Sequence, residues 1–95
     1  MKDLSIVVYT MKGCPFCVMM KDKLTENNIE YFERDIDKYN DEYEMFVEIT
    51  QNEMVPAFMV VENPDENPKS HLYAPEYNFD SIDEGIGIIK EHFGK

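Results

Sequence analysis

Hydrophobic and polar residues follow one another along the chain in patterns that predict alternating strands and helices. Leu4–Tyr9 is a continuous apolar run rich in β-branched residues, which is typical of a strand buried on both faces. A helical pattern follows, because three apolar residues recur at i, i+3 and i+7: Cys17, Met20 and Leu24. Pro15 suits the first turn of this helix, and Asn27 and Asn28 suit its end, where a left-handed residue is common.

The middle of the chain predicts a strand, a second helix and a third strand. Ile29–Asp35 has the composition of the strand, and Asn40 or Asp41 would cap the helix that follows. The buried stripe of that helix is expected to contain Tyr43, Phe46, Val47 and Thr50, with Ile49 at its edge. A third strand follows Pro56 at residues 57–61.

The last third of the chain predicts a loop, a short strand and a clearly marked helix. Glu62–Ser70 is rich in proline, asparagine and acids and is predicted to be a loop, and His71–Ala74 a short strand. Ser81 and Glu84 form a capping box for the last helix, whose apolar face contains Ile82, Ile86, Ile89 and Phe93. The order β-α-β-α-β-β-α predicts an α/β fold with a mixed central sheet, with parallel crossovers early and a hairpin late.

The composition indicates a small globular protein with a strongly acidic surface. The chain has 95 residues, and residues 1–95 are predicted to form one domain. Its net charge of −11 disfavours binding to nucleic acid or to anionic membranes. No apolar run approaches the ~20 residues that span a bilayer, and the N-terminus reads as a strand rather than a signal peptide. We therefore expect a soluble, cytoplasmic protein that acts as a monomer.

The strongest chemical signal is the segment Cys14-Pro15-Phe16-Cys17, which separates the first strand from the first helix. Cys14 would lie at the helix N-terminus, where unpaired amides and the helix dipole stabilise a negative charge. A thiol in such a position can have its pKa lowered from about 8.5 to about 3.5–7.5, which populates the reactive thiolate at neutral pH. Lys12 adds positive charge, and Cys17, on the apolar face, is expected to be less exposed and less ionised.

The spacing of the cysteines allows them to close a disulfide within one helical turn. Cys14 would attack a target disulfide, and Cys17 would then attack the mixed disulfide and release the product. A zinc half-site is disfavoured, because the only histidines, His71 and His92, lie in distant elements and are expected at the surface. A purely structural disulfide is disfavoured too, since so short a loop adds little stability. We expect a redox-active disulfide and no metal.

The seven methionines offer a further candidate for metal chemistry, since thioether sulfur suits copper. Met19, Met20, Met54 and Met59 do not share a convergent spacing. We therefore interpret them as adaptable core filler rather than as a copper site.

With these motifs the chain resembles the glutaredoxins, which have a thioredoxin-like fold. The resemblance covers about residues 4–61 and combines the Cys14–Cys17 centre with the Val55-Pro56 pair at the family's distance from it. It implies that Cys14 is the nucleophile, that Cys17 is the resolving thiol, and that Pro56 is a cis-proline beside them.

The resemblance also implies that glutathione is the reductant and binds beside Cys14. The Val55 backbone would pair with glutathione or a bound peptide, and Phe16 supplies an aromatic wall where the family usually has Tyr. The family's lysine position is occupied by Met11, so Lys12 is its nearest replacement, and Met54 replaces a Thr.

A Gly-Gly-x-Asp stretch usually opens the last helix of the family, and Asn78–Ser81 stands in its place. The amides of Asp80 and Ser81 are expected to bind the γ-glutamyl carboxylate of glutathione, and the Asp80 side chain its amino group. The alternative is that Phe79, in the same stretch, crowds the groove.

The favoured function is a glutathione-linked thiol–disulfide oxidoreductase that reduces protein disulfides or glutathione mixed disulfides. Short members of the family in viruses and bacteria have ribonucleotide reductase among their clients, which makes it a candidate here. The missing glycines keep open a dithiol donor recharged by a flavoenzyme of the thioredoxin reductase type. An iron–sulfur carrier, in which Cys14 from two chains and glutathione hold a cluster, is the alternative from another functional class.

Overall fold

The computed structural model describes residues 4–65 and 67–94 of the chain. Four strands and three helices occur there in the expected order: β1 Leu4–Thr10, α1 Pro15–Glu26, β2 Phe32–Asp35, α2 Asn40–Thr50, β3 Ala57–Glu62, β4 Lys69–Tyr73 and α3 Ile82–His92. None of the helices in these ranges is long and apolar enough to cross a membrane.

The strands form one mixed sheet in the order β2-β1-β3-β4. β1 is parallel to β2 and antiparallel to β3, and Val8 of β1 lies opposite Phe58 of β3. β3 and β4 form an antiparallel hairpin with Val60 opposite His71. The predicted mixed sheet, with an early parallel crossover and a late hairpin, is confirmed.

Helices cover both faces of the sheet and divide the core in two. α1 and α3 pack on one face, over a cluster that includes Ile6, Val8, Met20, Leu24, Phe58, Val60, Ile86 and Ile89. α2 packs on the other face, over a smaller cluster that includes Val7, Tyr9, Tyr43, Phe46 and Ala57. β1 contributes to both clusters, which explains why its sequence is apolar without alternation.

The second strand is shorter than predicted, because the residues before it form the turn that closes α1 and the connection that follows. Asn28 has a left-handed backbone, with φ of 57°, and the amide of Ile29 donates to the Leu24 carbonyl at 2.9 Å. Ile29 is buried in the core from this turn. Its apolar side chain therefore imitates a strand residue, while the strand itself begins at Phe32.

The start and the outer face of α2 also differ from the prediction. Its N-cap is Tyr39, which makes no side-chain capping bond, so neither Asn40 nor Asp41 caps the helix. Phe46 is buried as predicted, whereas Ile49 is 69% exposed. The β4 strand begins at Lys69, two residues before its predicted start, and shortens the loop.

The interpretation of the methionines as core filler is wrong for most of them. Met20 is fully buried, but four others are 45% exposed or more: Met11, Met19, Met45 and Met54. Three of these four, Met11, Met19 and Met54, line two surface grooves that border the Cys14–Cys17 segment. Their apolar surface therefore belongs to the candidate site.

The last helix begins at the predicted cap. Ser81 Oγ accepts a hydrogen bond from the Glu84 amide at 3.2 Å, while the Glu84 carboxylate accepts from the amide of Asp80 at 3.4 Å. Gly85 is buried, and a Cβ there would lie 3.1 Å from the terminal methyl of Met20 and 3.4 Å from Phe58. The glycine therefore lets α3 approach α1 and the sheet closely.

The two glycines of α3 form a matched pair for testing this packing. A Cβ at Gly87 would meet nothing within 4 Å. Gly87→Ala should therefore raise the free energy of unfolding by about 1 kcal/mol through helix propensity alone. Gly85→Ala should bring no such gain, because crowding of a packed core costs about 1–3 kcal/mol. Urea unfolding of both variants measures the difference, and equal stabilisation would contradict the close approach.

Candidate active site

Cys14 caps α1 with its own sulfur. Its backbone is extended, with φ of −97° and ψ of 106°, and its Sγ accepts a hydrogen bond from the Cys17 amide at 3.2 Å. Gly13, the residue before it, has φ of 76°, a conformation that glycine adopts without strain. Pro15 takes the first helical position, where its missing N–H costs nothing. The sulfur thus receives an amide that the helix start would otherwise leave unpaired.

Cys17 lies one turn further on, in the core. It is 2% exposed, and both cysteines are free thiols. Burial raises the pKa of the Cys17 thiol to about 12, and its hydrogen bond with Cys14 adds to the increase. Cys14 is 8% exposed, so Cys17 is the less exposed thiol as expected.

A charge pair between α1 and β2 lies beside the cysteines, next to Thr10 at the end of β1. Lys21 Nζ donates to Glu33 Oε2 at 3.1 Å, and the Thr10 hydroxyl donates to the same oxygen at 2.9 Å. The bond from Thr10, followed by that from Lys21, lowers the pKa of Glu33, and the bond to Glu33 raises the pKa of Lys21. The positive charge of Lys21 offsets part of the increase that burial causes in the pKa of Cys17.

The Val55–Pro56 peptide bond is cis, as the resemblance implies. Asn52 braces this turn, because its Oδ1 accepts from the Met54 amide at 2.7 Å and its Nδ2 donates to the Pro75 carbonyl at 2.7 Å. Sequence reasoning missed Asn52. The available signal was the ability of asparagine to hydrogen-bond the backbone two residues ahead and so stabilise a turn.

A groove of about 490 Å³ lies between the start of α1, the cis-proline turn and the start of α3. It brings together six of the predicted glutathione-binding residues: Phe16, Met54, Val55, Pro56, Asp80 and Ser81. Lys12 is not among them. It lines a separate groove of about 420 Å³ together with Cys14, Lys21 and Glu33.

Two residues that sequence reasoning missed complete one wall of the larger groove. Met19 and Lys23 follow Phe16 at i+3 and i+7, so the three share one face of α1. Phe16 is 59% exposed and Met19 is 46% exposed, and Lys23 Nζ lies 3.8 Å from the Asp83 carboxylate. This helical spacing is visible in the sequence, but the prediction for α1 considered only its buried face of Cys17, Met20 and Leu24.

Phe79 turns towards the core rather than filling the groove. It is 4% exposed, and its ring centroid lies 5.3 Å from that of Phe58. The space beside Asp80 and Ser81 therefore remains open to a ligand.

A model of the glutaredoxin family matches residues 6–63 of the chain. The chain belongs to the glutaredoxin family. The matched segment runs from β1 through both cysteines and the cis-proline turn to the end of β3. Glutaredoxins are thiol–disulfide oxidoreductases that use glutathione as reductant. No curated protein matches the chain significantly.

Solved structures agree with the thioredoxin-like fold of this glutaredoxin. Glutaredoxin 1 from Francisella tularensis, solved with cacodylate, is 23% identical, with a TM-score of 0.57 over 98% of this chain and 100% of that one. Thioredoxin from Trichomonas vaginalis is 16% identical, with a TM-score of 0.60 over 95% of this chain and 78% of that one. A thioredoxin-like protein is 32% identical, with a TM-score of 0.51 over 56% of this chain and 73% of that one.

The raised pKa of Cys17 predicts how the stability of the reduced protein changes in alkali. The folded thiol keeps its proton up to about pH 12, whereas an unperturbed thiol ionises near 9.0. The free energy of unfolding should therefore fall between these values, by up to about 1.4 kcal/mol for each pH unit from this group.

Cys17→Ala tests this assignment, because the variant has no proton to lose at this position. Tyr9, whose pKa is also raised by burial, contributes a decline of the same sign in both proteins. Urea unfolding between pH 8 and 11 should show a shallower decline in the variant, although its stability at neutral pH is lower. Equal slopes in the two proteins would contradict a protonated, buried Cys17.

Proposed function

We propose that this glutaredoxin reduces protein disulfides and glutathione mixed disulfides, with glutathione as its reductant. The observation that carries the proposal is the different surroundings of the two thiols. Cys14 receives an amide at the start of α1, while Cys17 is buried with a raised pKa. One sulfur is thereby prepared to attack, and the other is held in reserve.

The reaction proceeds by two exchanges between sulfur atoms. The Cys14 thiolate attacks one sulfur of the target disulfide, the S–S bond breaks, and the departing thiolate takes up a proton. Cys17 then loses its proton and attacks the Cys14 sulfur, which releases the reduced client and leaves the Cys14–Cys17 disulfide. Two molecules of glutathione restore the dithiol and leave as glutathione disulfide.

The order of these steps follows from what holds the Cys17 proton. Besides burial, the hydrogen bond with Cys14 and the charge of Cys14 raise its pKa. Both of these contributions end once Cys14 has formed a mixed disulfide and carries no charge. Lys21 continues to lower the pKa. Cys17 thus ionises more readily after Cys14 has reacted than before.

The larger groove offers glutathione an apolar wall and two places where a carboxylate can bind. The apolar wall of Phe16 and Met54 leads to the start of α3, whose N-terminal amides attract a carboxylate. The Asp80 amide makes a long contact with Glu84 at 3.4 Å, and a bound carboxylate can replace this acceptor. Lys23 offers a second anchor for a carboxylate on the opposite wall.

Serine variants of the two cysteines test the division of labour. With a glutathione mixed disulfide as substrate, Cys14→Ser should abolish turnover, because no nucleophile remains. Cys17→Ser should keep measurable turnover, since a second glutathione can attack the Cys14 mixed disulfide directly. Both variants are assayed with glutathione, NADPH and glutathione reductase. Because each substitution changes one sulfur into oxygen, each variant serves as the control for the other.

The same coupled assay, repeated with thioredoxin reductase in place of glutathione and its reductase, tests the source of electrons. We expect the unmodified protein to turn over with glutathione. Turnover with thioredoxin reductase alone, together with an inactive Cys17→Ser variant, would overturn the glutathione assignment and leave a dithiol donor.

A further inference from the structure

A second cluster of chemically capable side chains lies at the opposite end of the sheet from the cysteines. Glu62 ends β3, where it lies opposite Leu4 at the start of β1, while Cys14 follows the end of β1. Beside Glu62 are His71 of β4 and His92 of the last turn of α3. One ligand atom of each of the three residues lies within 4.8 Å of those of the other two. The prediction that both histidines lie at the surface holds only in part, because the side chain of His71 is 39% exposed and that of His92 is 15% exposed.

The register of the sheet explains how residues distant in sequence meet. His71 lies opposite Val60, and Glu62 follows Val60 by two positions, so both side chains point to the face that α3 covers. Because α3 runs back along this face, its last turn reaches the same end of the hairpin. His92 reaches the cluster from α3, and its ring centroid lies 4.9 Å from that of His71.

The distances from the two histidines to Glu62 are longer than those of direct hydrogen bonds and are compatible with ligands around a shared centre. Nε2 of His71 lies 3.5 Å from Glu62 Oε2, and Nδ1 of His92 lies 3.6 Å from Glu62 Oε1. Good N–H···O bonds are shorter, at about 2.7–3.2 Å. Nε2 of His71 is buried and has no hydrogen-bond partner among the described residues. Ligand atoms around a tetrahedral zinc ion are roughly 3.4 Å apart, given bonds of about 2.1 Å.

Tyr73 supplies the outer support that a histidine ligand needs. Its hydroxyl lies 2.6 Å from Nε2 of His92, the ring nitrogen that faces away from Glu62. With the proton on Nε2 donated to Tyr73, Nδ1 presents a lone pair to the centre of the cluster. The contact with the tyrosine thereby fixes the orientation of the ring, and the Nε2–H tautomer is the one in which Nδ1 can bind an ion.

We propose that Glu62, His71 and His92 form a binding site for a divalent transition-metal ion of the zinc class. Two imidazoles and one carboxylate are a set that such ions prefer, and three protein ligands leave a fourth position for water or an outside ligand. The carboxylate also offsets part of the ion's charge. The site is independent of the cysteine chemistry and joins β3, β4 and α3, so that metal binding stabilises the folded state.

Metal titration of a Cys14→Ser/Cys17→Ser double variant tests the site, because thiols bind the same ions and must be removed. Calorimetry with Zn²⁺ should show one saturable site, and thermal unfolding should shift to higher temperature in its presence. Loss of an outer-shell partner typically lowers metal affinity about 10- to 100-fold. In this background each single ligand variant should lower the Zn²⁺ affinity by more than that: Glu62→Gln, His71→Gln and His92→Gln. Tyr73→Phe should fall within that range.

Glu48→Gln, on the distant α2 helix, is the matched control and should leave the affinity unchanged.

A second readout does not depend on folding of the ligand variants. The ring protons of His71 and His92 in the double variant should shift together in NMR spectra as Zn²⁺ is added. Absence of saturable binding at millimolar Zn²⁺, binding that survives loss of either histidine, or a response of only one ring would overturn the proposal.

Discussion

The hydrogen bond from the Cys17 amide to the Cys14 sulfur is the contact on which the proposed chemistry depends. At 3.2 Å it makes the nucleophile the N-cap of α1, so that the helix start and the reactive group are stabilised together. The same helical turn carries Cys17 into the core, where burial keeps its proton in place. One local geometry thus makes two chemically identical side chains unequal, which a two-step exchange requires.

The rest of the fold holds this turn against a binding groove. β1 is buried on both faces and fixes where α1 begins, while Asn52 ties the cis-proline turn to the loop before α3. Gly85 lets α3 lie close enough to α1 for the two helices to form opposite walls. The groove exposes the apolar side chains of Phe16, Met19 and Met54. An acidic protein can therefore offer clients and glutathione a surface that is not acidic throughout.

Local signals in the sequence were sufficient for the order of the strands and helices and for most of their bounds. The unbroken apolar run of β1 and the Ser81–Glu84 cap each depend on neighbouring residues, and both were correctly predicted. Ile29 misled the prediction, because burial from a helical turn and burial from a strand look alike in sequence. Asn52 and Lys23 had local signals that the prediction did not use: a turn-stabilising asparagine and a helical spacing from Phe16. The meeting of the two histidines depends instead on strand register and on contacts between distant elements, which no local pattern carries.

Brief alkylation of the reduced protein at neutral pH, followed by peptide mapping, tests the central claim most directly. A thiol-specific reagent reacts with an accessible thiolate, so its distribution between the two cysteines reports which sulfur is available for attack. The structure predicts modification of Cys14 while Cys17 remains unmodified until the protein is unfolded. Equal labelling, or labelling of Cys17 first, would contradict the account.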